Sequence, residues 1–183
     1  IPNSVTNLGD DVFSYCSSLS SITLPNNLTS IKSGLLSKCS SLTSVTIPNS
    51  VTTIESFAFF SCTKLTSITI PNSVTSIEFR AFTSCTSLTS ITIPSSVTSI
   101  KDEAFRNCPN LTIRCLKDSY AETYAIQNNI KYTLILPPTV SYRTHVQNIG
   151  WQEYKSNGAV SGTSGQSLRL EGINIKVSGN SNL

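Results

Sequence analysis

Apolar residues recur in the first part of the chain with a period of 23 residues. The segments that begin at positions 1, 24, 47, 70 and 93 align with one another, and the fourth of them reads IPNSVTSIEFRAFTSCTSLTSIT. A single unit of this size cannot bury its large side chains by itself. Stacked units can, because each side chain then packs against its equivalent in the next coil. The pattern therefore predicts a repeat solenoid.

The alignment defines five files of apolar side chains, each of which is expected to run through the core. The files are Val5, Leu28, Val51, Val74 and Val97; Leu8, Ile31, Ile54, Ile77 and Ile100; Phe13, Leu36, Phe59, Phe82 and Phe105; Leu19, Leu42, Leu65, Leu88 and Leu111; and Ile22, Val45, Ile68 and Ile91. Ser, Thr and Asn dominate the remaining positions, as is usual for the solvent-facing side of a fold.

Each unit has room for two extended segments and a compact return. In the third and fourth units, LTSITI at residues 65–70 predicts a strand, and Pro71 and Asn72 predict a turn, because proline fixes φ and asparagine favours bends. Residues 74–77 predict a second extended segment, whereas AFTSC at residues 81–85 suits a helical turn or a short helix. The predicted solenoid is thus β-rich, with short helical turns.

The units follow the pattern I-P-x-S-V-T-x-I-x-x-x-A-F-x-x-C-x-x-L-x-x-I-x, and in this residues 1 to about 134 resemble the BspA-type leucine-rich-repeat family. The resemblance implies a right-handed leucine-rich-repeat coil with a parallel sheet. It also implies a place on bacterial surface proteins that bind host or matrix partners. Val12 and Leu35 stand where the family has alanine, and we expect these apolar substitutions to affect local packing only.

The repeat region should end in a cap. The fifth unit is one residue short at its end, so that Cys115 takes the inward position that Ile93 has one unit earlier. We assign residues 1–115 to five repeats, and residues 116–136, which suggest a helix and a last strand, to a C-terminal cap over the core. No comparable segment precedes the first repeat, so we expect the amino-terminal end of the core to be open.

A different pattern begins after Pro137 and Pro138, which we take as a linker because a double proline cannot continue the interior of a sheet. Residues 139–178 form the next segment, and residues 179–183 read as a fragment of a further linker. Because the chain starts and stops inside patterned sequence, we expect it to be a fragment of a longer protein.

The second segment resembles a clostridial repeat called ChW, named for its hydrophobic pattern and its tryptophan. The resemblance rests on HVQNIGW at residues 145–151, NG at 157–158, SGT at 161–163 and LRLEGI at 168–173. It implies a unit that occurs in tandem on secreted clostridial proteins and acts in surface interaction or attachment. Alternating apolar residues near its end predict half-buried strand. A single copy has little apolar surface to bury, so we expect a small, incomplete all-β module.

Composition argues against several classes of function. Charged residues make up 13% of the chain, and the net charge of +3 comes from scattered side chains without a basic run, so we expect no nucleic-acid partner. No apolar run approaches the length of a membrane span. No nucleophile elbow, zinc-protease motif or glycine-rich phosphate loop is present, so the sequence predicts neither an enzyme nor a cofactor.

Five cysteines recur with the same period as the repeats, which places them in a single file along the solenoid. They are Cys16, Cys39, Cys62, Cys85 and Cys108. Parallel side chains on successive coils leave the Cβ atoms too far apart for disulfides. A linear file also cannot converge on a tetrahedral zinc ion. We therefore predict buried, reduced thiols that act as small apolar fillers.

Three aromatic residues of the repeats fall outside the apolar files, namely Phe57, Phe60 and Phe79. Together with Arg80 and Lys64 they can form an aromatic and basic patch on the return side of the third and fourth units, and such patches often mark partners. The alternative is that these rings only pack between adjacent coils.

Three residues are candidates in the second segment. Trp151 and Tyr142 can stack on a sugar ring, or they can form the core of a half-domain. His145 is the only histidine in the chain, and we expect it to have a structural or binding role in its unit.

Taken together, these features predict a non-catalytic binding or adhesion module that is secreted or displayed on the surface of a clostridial-type bacterium. The solenoid would recognise a partner, and the ChW repeat would contact a surface or a glycan. The alternative is an accessory, non-catalytic region of a larger secreted hydrolase. Three classes of partner fit the sequence: a protein, a glycan or a cell-wall polymer at a cell surface.

Overall fold

The computed structural model describes residues 1–136, 139–157, 159 and 170–178. The chain divides into two compact units, Ile1–Ile135 and Leu136–Leu183. The first unit is a β-solenoid with parallel sheets, as the repeat pattern predicted, and the second is small and all-β. Within the described residues, no helix is long and apolar enough to cross a membrane.

One strand of each coil lines a parallel face of the solenoid. These strands are β1 (Ser21–Thr23), β3 (Ser44–Thr46), β5 (Ser67–Thr69), β7 (Ser90–Thr92), β9 (Thr112–Cys115) and β10 (Lys131–Leu134). Strand β1 pairs with β3, and β5, β7, β9 and β10 pair in that order. The register repeats the sequence period, so that Ile68 lies opposite Ile91 and Thr69 opposite Thr92. Because side chains alternate across a strand, the isoleucines enter the core and the threonines face solvent.

A second parallel sheet follows the corner at the repeated proline. Its strands are β2 (Ser30–Ile31), β4 (Thr53–Ile54), β6 (Ser76–Ile77) and β8 (Ser99–Ile100), paired in chain order. The corner is a turn in which the amide of Val74 donates to the carbonyl of Pro71 over 3.0 Å. This confirms the turn that the Pro-Asn pair predicted.

The return stretch of each coil is a chain of turns rather than a helix. Its amide groups alternate between two kinds of acceptor. Ala81 donates to the carbonyl of Glu78 within the same coil over 3.2 Å, whereas Phe82 donates to the carbonyl of Ala104 in the next coil over 2.8 Å. Left-handed residues at Arg80 (φ 55°) and Ser84 (φ 62°) prevent a continuous α-helix. The return therefore forms a third ladder of hydrogen bonds along the solenoid.

From the second coil onward the apolar files lie in the interior, except that Val45 is half-buried. Phe82 stacks between Phe59 at 4.9 Å and Phe105 at 5.4 Å between ring centroids, with the planes within 12° of parallel. File members of the first coil, such as Leu8 and Phe13, are only half-buried because a single coil covers them.

The far end of the core is covered by helix α1 (Tyr120–Gln127) and by strand β10. Cys115 is fully buried, in the position where the sequence placed it. The hydroxyl of Ser119 caps the helix by accepting a hydrogen bond from the amide of Glu122. The ring of Tyr124 is buried and meets Phe105 edge-on at 6.0 Å. The helix thus closes the phenylalanine file.

The second unit is an antiparallel sheet centred on β11 (Thr139–Val146). Strands β12 (Gly150–Trp151) and β13 (Lys155–Ser156) pair with β11 at different points along it, and β14 (Leu170–Ser178) pairs with most of its length. A bulge places Glu171 as an extra residue in β14, because His145 pairs with Gly172 and Val146 pairs with Leu170.

The apolar side chains of β14 are more exposed than the sequence suggested. Alternation predicted a half-buried strand, yet Leu170, Ile173 and Ile175 each keep more than half of their surface exposed. The sheet has an apolar face that this strand leaves open to solvent. Leu168, which the prediction included, lies outside the described residues.

Candidate functional site

The first candidate surface is a cluster of aromatic rings on the return side of the third and fourth coils, which we call the flank patch (Phe57, Phe60, Phe79 and Arg80). Phe57 meets Phe60 at 5.8 Å and Phe79 at 5.6 Å, edge to face in both cases. Phe79 is 38% exposed, and the other two rings are half-buried. The structure brings together the three rings that the sequence grouped.

The backbone explains why these rings lie at the surface. Phe57 has a left-handed φ of 59°, while the residues that follow it, Ala58 and Phe59, are fully buried. A bulky residue is uncommon in this region of φ, and its strain is of the order of 1 kcal/mol. The equivalent position in the preceding coil is Gly34, which adopts the same conformation without that strain.

Arg80 supplies the positive charge of the flank patch. Its guanidinium lies 4.8 Å from the centroid of the Phe79 ring, and its Nε donates to Oε2 of Glu103 over 2.5 Å. Glu103 also accepts from Arg106 over 2.9 Å, and these hydrogen bonds, that of Arg80 first, hold the pKa of the Glu103 carboxyl below its ordinary value. Lys64 is exposed, but in the described part of the chain it has no ion pair or ring contact.

The ring contacts bear on both interpretations of the flank patch. Phe57 and Phe79 belong to successive coils, so their edge-to-face contact stabilises the packing between coils. The same contact fixes the exposed part of Phe79 on a rigid support. The rings therefore serve local packing and also form a preorganised apolar surface.

The second candidate surface lies on one face of the antiparallel sheet of the second unit. It consists of aromatic rings and cations that contact one another. We call it the sheet-face cluster (Trp151, Arg143, Tyr154, Lys176 and His145). The guanidinium of Arg143 lies 4.8 Å from the Trp151 ring and 4.9 Å from the Tyr154 ring. The ammonium of Lys176 lies 4.3 Å from the Tyr154 ring. Such contacts are attractive, because the face of an aromatic ring is electronegative.

His145 and Glu171 form the other end of the sheet-face cluster. The imidazole meets Trp151 edge-on at 5.2 Å, and its Nδ1 lies 3.1 Å from Oε2 of Glu171. Glu171 is the extra residue of the bulge in β14, and its carboxylate lies beside the histidine. The indole lies beside Gly172, where an added Cβ would be 3.5 Å from the ring. Trp151 remains 46% exposed.

Tyr142 does not belong to this cluster. It is opposite Ile175 in β14 and Lys155 in β13, on the other face of the sheet from His145 and Trp151. Its hydroxyl donates to the carbonyl of Ala159. Tyr142 and Trp151 therefore cannot stack on the same sugar ring, because Tyr142 and His145, which is opposite Trp151, lie on opposite faces of β11.

Three members of the sheet-face cluster, Arg143, Tyr154 and Lys176, were not predicted from the sequence. A signal existed for two of them. Arg143 is two residues before His145, and Lys176 is an even number of residues after Gly172, so strand alternation alone puts them on the face of Trp151. Tyr154 lies in the loop between β12 and β13, where no periodicity predicts direction.

The buried thiols are arranged for packing and not for reaction. Each Sγ from the second to the fifth repeat donates to a carbonyl of the preceding coil, as Cys62 does to Leu36 over 3.1 Å. Burial raises the pKa of Cys62 to about 12 and that of Cys39 to about 11. The six cysteines are free thiols in the structure. Cys16, which the sequence placed in the buried file, is exposed instead, because it lies in the first coil and only one coil packs against it.

No catalytic arrangement is evident in the parts of the chain that the structure describes. His145 has an acidic neighbour, but no hydroxyl or thiol group of the described residues is hydrogen-bonded to its ring. Residues 1–136, 139–157, 159 and 170–178 also contain no cluster of His, Cys, Asp and Glu that could hold a metal ion.

Comparison with solved structures supports the solenoid. A leucine-rich repeat protein from T. pallidum is 32% identical, with a TM-score of 0.58 over 60% of this chain and 52% of that chain. One from Bacteroides ovatus is 36% identical, with a TM-score of 0.59 over 62% and 30%. The pneumococcal vaccine antigen PcpA, 19% identical with a TM-score of 0.56 over 74% and 40%, shares the fold. The chain thus spans about half or less of each of these proteins.

Family profiles match both units. The BspA type leucine rich repeat region matches residues 1–112 in six copies, and the Clostridial hydrophobic W repeat matches residues 145–179. No curated protein matches the chain. Both families consist of repeats that are typically non-catalytic, and leucine-rich repeats generally mediate protein interactions. The chain therefore belongs to the BspA-type leucine-rich-repeat family and carries a ChW repeat after its solenoid.

Proposed function

We propose that this chain is a non-catalytic binding module of a secreted or surface-displayed protein from a clostridial-type bacterium. In this proposal, the solenoid recognises a protein partner through the flank patch, and the ChW repeat attaches to a surface or a glycan. The observation that carries the first part is the exposure of Phe79, which lies on a rigid coil between Phe57 and Arg80.

The physical properties of the flank patch support recognition of a protein. Aromatic residues and arginine contribute most of the binding free energy at protein interfaces, usually from a small central cluster. The threonines of the flat sheet, such as Thr46 and Thr69, are exposed but offer only small polar side chains. The flank patch therefore combines apolar area and a held guanidinium at one place on the solenoid.

The proposal is tested by binding of the chain to a panel of immobilised extracellular-matrix proteins. Phe79→Ser should weaken binding to the recognised protein by tenfold or more, since truncation of a central aromatic residue typically costs more than about 1 kcal/mol. Tyr15→Ser is the matched control, because Tyr15 is an aromatic residue of the first coil that is 68% exposed. Binding that is unchanged by Phe79→Ser but lost in Tyr15→Ser would contradict the role of the flank patch.

The alternative is an accessory region of a larger secreted hydrolase. It shares the expectation that this chain itself has no activity on peptide, ester, phosphate or glycoside substrates. Turnover that disappears in His145→Ala would contradict both forms of the proposal. The encoded sequence on either side of these residues distinguishes the two, because a catalytic domain there would favour the accessory role.

A further inference from the structure

We infer that the sheet-face cluster of the second unit binds a sugar that carries a carboxylate, that is, a uronic acid residue of an acidic polysaccharide. The inference rests on the glycan-binding role proposed above for the ChW repeat and specifies the class of its ligand. Four features carry it: an exposed indole, a guanidinium held by rings, a second cation beside it, and the absence of competing carboxylates at these two cations in the described residues.

The indole of Trp151 provides a platform for a sugar ring. It is 46% exposed on the surface of a sheet, and His145 and Arg143 hold it from its edge and its face. Tryptophan combines a large apolar surface with a ring that attracts positively polarised groups. The C–H groups on one face of a hexose have that polarity. A sugar that stacks on the exposed part of the indole therefore gains both apolar burial and electrostatic attraction.

Arg143 offers hydrogen-bond donors beside that platform. The rings of Trp151 and Tyr154 contact the guanidinium of Arg143. Its in-plane N–H groups remain to bind a ligand. Its Nε is buried and has no hydrogen-bond partner. No carboxylate of the described residues forms an ion pair with it. A guanidinium that is fixed in orientation suits two parallel hydrogen bonds to a carboxylate.

The charge around the cluster is also suited to an anion. Lys176 contacts Tyr154 and, like Arg143, has no carboxylate partner among the described residues. Glu171 is held at the other end of the cluster by His145. Over positions 136–183 the sequence has four Lys and Arg residues against two Glu residues. An approaching carboxylate therefore meets two uncompensated cations within a contiguous surface.

A single-stranded nucleic acid would use the same kinds of contact, but the geometry favours a sugar. Nucleic-acid strands bind along a series of aromatic rings on which successive bases stack. Here Tyr154 is half-buried and already contacts two cations, so Trp151 is the one exposed ring of the cluster. One open ring beside two cations matches one hexuronate rather than a run of bases.

Trp151 is the only tryptophan of the chain, so its fluorescence reports directly on this site. The full chain is titrated with trigalacturonate and with a hyaluronan tetrasaccharide, each compared with its methyl ester, and with an oligothymidylate. We expect at least one of the acidic oligosaccharides to change the fluorescence and to bind at least tenfold more tightly than its ester. The affinity should fall at high salt, because the charges are close to solvent.

Three variants localise the effect. Arg143→Gln should weaken binding of the acidic sugar by tenfold or more, and Lys176→Gln should weaken it less. Lys155→Gln is the matched control, because Lys155 is opposite Tyr142 on the other face of the sheet, and it should bind as the parent does. If circular dichroism shows that Arg143→Gln does not fold, the affinity of Lys176→Gln for the acidic sugar decides the outcome, because Lys176 is exposed.

The results separate this inference from the proposed function. If esters and acids bind equally well at Trp151, the glycan-binding role stands and the inference is wrong. If neither acids nor esters bind, both fail. Tighter binding of the oligothymidylate than of either acidic sugar, or acidic binding that neither Arg143→Gln nor Lys176→Gln weakens, also overturns the inference.

Discussion

At the scale of single residues, burial separates two phenylalanines that are three positions apart. Phe82 is fully buried and stacks on rings from both neighbouring coils, whereas Phe79 is 38% exposed. Phe82→Ala should lower the free energy of unfolding by about 3–5 kcal/mol, as large truncations in a core do. Phe79→Ala is the matched control and should cost about 1 kcal/mol or less. Urea denaturation measures both, and equal midpoints for the two variants would contradict the assignment of Phe82 to the core.

The buried thiols predict a loss of stability at alkaline pH. Burial raises the pKa of Cys39 and Cys108 to about 11 and that of Cys62 to about 12. An unfolded thiol ionises near pH 8.5, so between about pH 9 and pH 11 the unfolded chain releases protons that the folded chain retains. The folded state therefore binds more protons than the unfolded state in this window, and the free energy of unfolding falls as pH rises.

Cys62→Ser tests this dependence. Serine keeps a donor for the carbonyl of Leu36 but does not ionise in this range, so it removes one titrating group. The decline in unfolding free energy should be shallower in the variant by up to about 1.4 kcal/mol per pH unit. Urea midpoints at about pH 8 and about pH 10.5 measure the difference. Identical slopes in parent and variant would mean that this thiol ionises equally in both states.

The sequence predicted the burial of core residues better than it predicted the contacts at the candidate sites. Phe59 and Phe82 recur at the period of the repeat. Side chains that recur with this period point the same way in every coil, so the sequence predicts that both enter the core. Phe57 and Phe79 interrupt the period, so the sequence grouped them without showing that they touch. The ion pair of Arg80 with Glu103 was not foreseen, because it joins coils at positions where no residue type recurs.

At the scale of elements, the return stretch shows why strands were easier to predict than turns. Alanine, phenylalanine and cysteine at positions 81, 82 and 85 suit a helix as well as a stack of turns. The deciding feature is left-handed backbone, which recurs at two positions of every coil. The first of these positions is occupied by Asp11, Gly34, Phe57, Arg80 and Glu103. Only one of the five is glycine, so the usual signature of left-handed backbone is missing.

The cap offers a prediction for a whole element. Tyr124 and Tyr120 lie on the same helix, but Tyr124 is buried against Phe105 and Tyr120 is 44% exposed. Tyr124→Ala should uncover the end of the phenylalanine file and cost about 3 kcal/mol or more. Tyr120→Ala should cost about 0.5 kcal/mol or less, as surface substitutions usually do. Thermal unfolding compares the stability of the two variants. An equal loss of stability in both would contradict the view that Tyr124 closes the core.

The sheet of the second unit was predicted only in outline. Alternation indicated strand, and β14 is there, but the direction of Tyr142 depended on a register that the sequence did not give. In a strand, an error of one residue moves every side chain to the opposite face. Trp151 and His145 lie on the same face because β12 pairs with the end of β11 and places the two residues opposite each other. The sequence alone does not specify that pairing.

At the scale of the whole molecule, the two units contain separate natural probes. All six cysteines lie in Ile1–Ile135, and the only tryptophan lies in Leu136–Leu183. The accessibility of thiols therefore reports on the solenoid, and the fluorescence of Trp151 reports on the sheet. The solenoid has hydrogen bonds from coil to coil on several sides of each repeat. The second unit is short and exposes apolar residues such as Ile173 and Ile175.

We expect these probes to give two transitions on denaturation. A unit of this small size buries a low fraction of its surface, so the fluorescence change should occur at a lower urea concentration than the exposure of thiols. A chain that ends at residue 135 is the control and should expose its thiols at the same urea concentration as the full chain. Coincident transitions in the full chain, together with a lower thiol midpoint in the shortened one, would show instead that the two units unfold as one cooperative structure.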